Sequence, residues 1–312
     1  TEIYNNYNCD KFFPKIPINY KLITVSNFIK EDNEYYRNLV YFNTNNNSNN
    51  NTNIFDSKYN RENEYELWKN KEECNYLDVM QKILTIGENK IDRTEIGILS
   101  LFGETLKYDL RDTFPVLTTR RQFLRGVFEE LKFYISGKTD NSILNDNKIT
   151  IWNANTTREF LDKRGLSHYP ENDMGETYGF NFRHYGAEYK TCKEDYTNKG
   201  FDQIDYVLNL IKTDPTSRRI IIDIWNCSTI HKAALPPCLC KYQFNVNVEK
   251  QELDLIIYLR SSDFFLANNW NTCTGAFLVH MICNLKDINL TPGILTVFSA
   301  DTHIYLSHIE QS

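Results

Sequence analysis

YQFNV (242–246) and LDLIIY (253–258), separated by the polar run NVEKQE (247–252), read as two strands paired across a turn near Glu249. TCTGAFLVHMICNL (272–285) follows as an apolar helix, and ILTVF (294–298) as a late strand. Upstream, Ile220 to Trp225 is a buried-strand run, preceded by a helical stripe of Ile204, Val207, Leu208 and Ile211 that ends at Asp214-Pro215. A longer stripe (Phe123, Leu124, Val127, Phe128, Leu131, Tyr134, Ile135) closes at Gly137. Tyr76 to Ile86 puts Leu77, Met80, Ile83 and Leu84 on one helical face, with Gly87 ending it. Helices and strands mix without a strict βαβ rhythm, so the expected class is α+β rather than a doubly wound sheet.

The chain has 312 residues, 41% hydrophobic and 24% charged, with 35 Lys and Arg against 41 Asp and Glu, a net charge of −6. Such a chain has no overall field to draw in nucleic acid or an anionic membrane, so an anionic ligand needs a local cluster of cations. No apolar run approaches the roughly 20 residues of a bilayer span. The eight cysteines are scattered through apolar segments, which points to a reducing compartment and a cytoplasmic location. The one tight pair, Cys238 and Cys240, lacks a second ligand pair at zinc-like spacing, so no metal is expected.

Three compositional regions are expected. Residues 1–42 hold two strand-like runs, Tyr20 to Ser26 and Tyr36 to Phe42. Residues 43–65 open on an almost pure Asn tract, a linker by composition. Residues 66–312 are ordinary globular sequence. The chain opens at Thr1, so its true start is expected to lie upstream.

Several residues could carry chemistry. In ALPPC (234–238) two prolines fix the backbone before Cys238, which suits a nucleophile that must meet an electrophile at a set angle; a buried structural thiol is the bland alternative. Arg218 and Arg219 in DPTSRR (214–219), Arg260 in RSSD (260–263) and Arg93 pair guanidiniums with hydroxyls in the manner of a phosphate site, or are solvated charges. Such cations would also favour a neighbouring thiolate. Glu130 sits on the long apolar stripe and is either a buried acid/base group or a helix-edge ion pair. Asn271 offers a donor and an acceptor that match a uracil edge, or an N-cap. His303 and Tyr305 alternate on one strand face and could reach a sugar hydroxyl or be ordinary strand-end polar residues, and Asp301 beside them has no assigned role.

Together these strings resemble the thymidylate synthase family. The matching segments stand in family order: Asp92-Arg93-Thr94, FPVLTT (114–119), Ile151-Trp152, Tyr178-Gly179, DPTSRR (214–219), ALPPC (234–238), RSSD (260–263), Asn271 and DTHIY (301–305). The resemblance covers about Leu67 to Ser312. Residues 1–42, notably CDKFFP (9–14), resemble the terminal strands of dihydrofolate reductase, so the whole resembles the C-terminal part of the fused reductase-synthase of protists and plants, lacking the start of the reductase and the end of the synthase.

The resemblance implies a synthase fold with a mixed sheet at a homodimer interface. It implies reductive methylation of dUMP to dTMP with 5,10-methylenetetrahydrofolate, NADPH serving only a linked reductase. Cys238 would attack C6 of the uracil. Glu130 would organise proton transfer, with Tyr178 lining the nucleophile's pocket. Arg93, Arg260 and Ser261 would grip the phosphate, with Arg218 and Arg219 arriving from the partner subunit. Asn271 would read the base and His303 with Tyr305 the sugar. Trp152 and Asp263 would meet the folate. The chain departs from the family pattern at Glu95, Leu239, Leu259 and Ala267 to Trp270. These departures keep open a catalytically weakened dimerisation partner, and the kinship of synthases with pyrimidine nucleotide hydroxymethylases leaves that activity as a further alternative.

Overall fold

The computed structural model describes residues 70–91 and 95–312. The expected reductase strands, the Asn-rich linker and Arg93 lie outside the described residues.

Helix α1 (Lys71–Ile86) starts where the Asn70 side chain accepts from the Glu73 N–H at 3.1 Å. It buries Tyr76, Val79, Met80 and Ile83, a 3–4–7 spacing. Leu77 and Leu84, expected on that face, are only half-buried. Gly87 ends the helix as expected, in extended backbone (φ −61°). A Cβ there would lie 2.3 Å from the Ile83 carbonyl oxygen.

Strands β1 (Glu88–Lys90) and β2 (Ile98–Asp109) form a hairpin. Helices α2 (Leu124–Ile135), α3 (Ser142–Asp146), α4 (Arg158–Lys163), α5 (Tyr178–Arg183) and α6 (Gln203–Thr213) precede the short strand β3 (Ile221–Asp223). Then come β4 (Leu239–Asn247), β5 (Glu252–Asp263), α7 (Asn268–Cys283) and β6 (Thr291–Tyr305).

The sheet has six strands in the order β1-β2-β6-β5-β4-β3. All neighbours are antiparallel except β5 and β6, so the sheet is mixed and the class is α+β as expected. A parallel pair needs a crossover, and α7 supplies it. That helix is apolar on nearly every side because it lies inside the molecule. Gly275 is its point of close approach: a Cβ there would sit 3.2 Å from Leu295 Cδ1 and 3.4 Å from Ile257 Cγ2.

The main core runs between this face of the sheet and α1, α2, α6 and α7, with Leu253, Leu255, Ile257, Leu259 and Leu295 fully buried. A second cluster joins Leu161, Leu166, Tyr169, Phe180, Tyr189, Tyr196 and Ala234. At its base the buried Asp173 carboxylate accepts from the Tyr189 hydroxyl (2.5 Å), the Gly175 N–H (2.7 Å) and the Cys192 N–H (2.7 Å). Burial holds that carboxyl above its usual range.

Candidate active site

Residues 233–238 are strapped to the body of the protein. Ala233 bridges Gly175, the Ala234 N–H donates to the Met174 carbonyl at 3.0 Å, and Arg164 Nε donates to the Ala234 carbonyl at 3.1 Å. Gly175 makes this contact possible: it has φ +74°, and a Cβ would lie 2.1 Å from the Lys232 oxygen.

Pro236 and Pro237 have no N–H, so their unmet polar groups are carbonyls. Arg260 takes both, Nε donating to Pro237 O at 2.8 Å and Nη2 to Pro236 O at 3.0 Å. Its backbone N–H donates to the Cys238 carbonyl at 2.9 Å, and Nη2 lies 3.9 Å from Cys238 Sγ. The guanidinium also stands over Trp225, 5.3 Å from the ring centroid. Nη1 has no partner among the described residues. Half of Arg260 is thus committed to shaping the loop that carries Cys238.

Tyr178 holds the other side. Its Oη accepts from the Cys238 N–H at 2.8 Å and, more loosely, from the Leu239 N–H at 3.4 Å. Burial holds the phenol well above its usual range, so it stays neutral. Its ring stacks on Tyr134 (4.7 Å) and meets the edge of Trp152 (6.1 Å).

Behind this layer lies Glu130, buried rather than in a helix-edge ion pair. Oε1 accepts from the Tyr134 hydroxyl (2.8 Å) and Trp152 Nε1 (2.7 Å), and Oε2 accepts from Trp270 Nε1 (2.7 Å). Burial raises its pKa and the three donors pull it back, burial being the stronger. Trp152, expected against folate, spends its ring nitrogen on this carboxylate.

The parallel register of β5 and β6 sets Ser261 beside Asp301 and Asp263 beside His303. His303 Nδ1 and Asp301 Oδ1 are 2.7 Å apart, and this contact first, then the imidazole's charge, holds the Asp301 carboxyl below its usual range. Asp301 thus orients His303 and leaves Nε2 for other work. Tyr305 stands edge-on to His303 at 5.4 Å. Asp263 caps the turn into α7, one oxygen accepting from the Leu266 N–H at 3.0 Å. Asn271 lies in the first turn of α7, not at its cap, which is Ala267. Its amide nitrogen donates to the Ala267 carbonyl at 3.1 Å, and its oxygen has no partner among the described residues.

Arg218 and Arg219 are exposed on the turn before β3, and neither guanidinium has a partner among the described residues. Glu95 adopts φ +63°, the left-handed form that suits a glycine, with its side chain exposed. Leu239 and Leu259, two separate departures in the sequence, are register partners and both fully buried. They form one coupled apolar pair.

Sequence reasoning missed Tyr134, Trp270 and the pairing of Asp301 with His303. Tyr134 lies four residues after Glu130 on α2, and Asp301 two before His303 on one strand, so spacing could have found both. Trp270 carries no such local signal. Burial pushes the thiols of Cys192, Cys240 and Cys283 up to about 12, 11 and 12, and that of Cys273 higher still, so none of these competes as a nucleophile at neutral pH. Among the described residues no His, Cys, Asp and Glu group is placed to hold a metal ion, and no helix is long and apolar enough to cross a membrane.

Residues 74–312 match the family described as thymidylate synthase. The chain is 44% identical over 239 residues to the bifunctional dihydrofolate reductase-thymidylate synthase of Paramecium tetraurelia, covering 77% of this chain and 51% of that protein. It is 36% identical over 348 residues to the protein of the same name from Plasmodium berghei, covering 99% of this chain and 59% of that one. It is 42% identical over 251 residues to the thymidylate synthase of Saccharomyces cerevisiae, covering 78% and 82%. The chain spans about half the length of the bifunctional relatives it matches. On the match across residues 74–312, the chain belongs to the thymidylate synthase family.

Proposed function

We propose that this chain methylates dUMP to dTMP, with 5,10-methylenetetrahydrofolate as cosubstrate. The observation that carries the reading is the clamp on Cys238. A guanidinium lies 3.9 Å from its sulfur and a neutral phenol fixes its N–H, on a loop stiffened by two prolines.

In this reading Cys238 adds its sulfur to C6 of the uracil, and Arg260 places a permanent positive charge where the sulfur anion develops. Electron density released at C5 attacks the one-carbon unit of the folate, so that C5 carries both its proton and the new carbon. Glu130, through its hydrogen-bonded neighbourhood, helps take that proton away, which lets the bond from the transferred carbon to the folate nitrogen break. The folate supplies both carbon and hydride and leaves as dihydrofolate. Cys238 is then expelled with its electron pair, which restores the ring.

Arg260 Nη1 and Ser261 would hold the phosphate with Arg93, Asn271 the uracil edge, and His303 Nε2 with Tyr305 the sugar hydroxyl. Trp152 and Asp263 would border the folate. A second copy of the chain would bring Arg218 and Arg219 to this site. The exposed patch of Ile256, Tyr258 and Phe298, on the sheet face opposite α7, supports such a pairing. The reductase assignment of residues 1–42 and the linker at 43–65 are supported by the Plasmodium berghei relative, whose match covers 99% of this chain. The cysteines, scattered through apolar segments, support a cytoplasmic site of action.

Mass spectrometry after incubation with 5-fluoro-dUMP and methylenetetrahydrofolate tests the reading. A covalent ternary adduct, lost in Cys238→Ser, is expected. The buried Leu239–Leu259 pair favours a second reading, a weakened synthase that serves as a dimerisation partner. Absence of any adduct would overturn the first reading in favour of the second.

A further inference from the structure

We propose that Trp270 is a positioning residue for the Glu130 carboxylate, tying that group to the helix start that carries Asn271. The inference rests on the synthase reading for what Glu130 does, but on geometry alone for what Trp270 does.

Glu130 accepts three hydrogen bonds, and they are unevenly shared. Oε1 has two donors, Tyr134 and Trp152, whereas Oε2 has Trp270 Nε1 at 2.7 Å as its described donor. None of these partners is a cation. Among the described residues, the titratable groups shifted by this carboxylate include the phenols of Tyr134 on α2, Tyr178 on α5 and Tyr242 on β4. A buried carboxylate without a counter-charge depends on neutral dipoles for its ionised form, so each donor sets a large share of its protonation and orientation.

Helix α2 is cut to admit the indole. Gly126 lies one turn before Glu130, and a Cβ there would come within 2.7 Å of Trp270 Cη2 and 2.6 Å of Phe123 Cδ1. A glycine inside a helix is a cost to helix stability, and here it leaves room for the ring that reaches the carboxylate. Trp270 immediately precedes Asn271 in the first turn of α7. One indole therefore spans the two groups assigned to proton transfer and base reading, so a shift in either helix is felt by both.

An indole that merely fills space would leave the carboxylate's titration unmoved when its N–H is deleted. Two variants separate the cases. Trp270→Phe keeps a ring and removes the donor; Gly126→Ala keeps every polar group and pushes the indole aside. The readouts are the Glu130 carboxyl pKa by carbon NMR of glutamate-labelled protein, with Glu130→Gln identifying the signal, and the pH profile of kcat.

In both variants the Glu130 pKa is expected to rise, by about 1–2 pH units in Trp270→Phe, the equivalent of one hydrogen bond to a charged group. The acid limb of kcat should move up by the same amount. An unmoved pKa in folded Trp270→Phe and Gly126→Ala overturns the proposal, as does a moved pKa with an unmoved limb. Failure of the synthase reading shows itself separately, as wild-type protein that forms no fluoronucleotide adduct, while the NMR titration still reports on Trp270.

Discussion

Replacing Tyr178 by Phe deletes a single oxygen and leaves the ring in its stack on Tyr134. The Cys238 N–H then loses its acceptor at 2.8 Å, while the 3.4 Å contact from Leu239 is long enough to contribute little. A buried donor left unpaired costs about 1–3 kcal/mol, and about 2 kcal/mol lowers Tm by about 4–8 °C in a domain of this size. The loss falls on the backbone of Cys238, the nucleophile in the proposed reaction. If it is felt fully in the reacting geometry, adduct formation slows by about 30-fold. Calorimetry gives the first number, and the rate of covalent capture of 5-fluoro-dUMP, followed by mass spectrometry, gives the second. A Tm within about 1 °C of wild type together with an unchanged capture rate would refute the idea that the phenol oxygen supports Cys238.

Gly175→Ala combines a left-handed backbone with a clash at 2.1 Å against the Lys232 oxygen, so a loss of about 3 kcal/mol or more is expected in urea unfolding, with slowed capture because the strap shifts. Arg260→Lys cannot reach both proline carbonyls and the sulfur at once; capture should fall by about 100-fold, and a fall of less than about threefold would count against the clamp. Burial holds His280 at about 4, against 6.5 for a free imidazole. The unfolded chain therefore binds the extra proton first, and the stability this neutral ring allows, present above pH 6.5, is lost as pH falls toward 4. His280→Leu should flatten the stability profile across that window, and an unchanged slope in acid unfolding would remove His280 from the account.

Much of the architecture was readable because its elements announce themselves locally. The hairpin of β4 and β5 alternates cleanly, and α7 is apolar for longer than a strand could be. Strand β5 runs on to Asp263, past the expected end at Tyr258, because β6 pairs with it in parallel there; Arg260-Ser-Ser-Asp263 taken alone has the polarity of a loop. Strand β2 escaped notice for a related reason, its Gly103, Glu104 and Lys107 masking a ladder made with distant residues.

The site divides in the same way. Cys238, Arg260 and Tyr178 stand in recognisable strings, and the structure brings them into contact. The donors around Glu130 come from α2, the segment near Trp152, and α7, and only packing joins them. Likewise Leu239 and Leu259, twenty positions apart, become one feature only once the register of β4 and β5 is known.

The parallel pairing of β5 with β6 governs when the candidate site can assemble. Asp263 waits for His303, and Ser261 for Asp301, across a whole intervening helix. A chain growing from its N-terminus therefore brings these residues together late, and until β6 docks, the apolar β5 offers a bare edge to whatever strand arrives first. Nascent or heat-shocked molecules should be most prone to mispairing at that edge, and in the reading proposed above a nucleotide that binds only the assembled site would act as a folding ligand, drawing the late strand home.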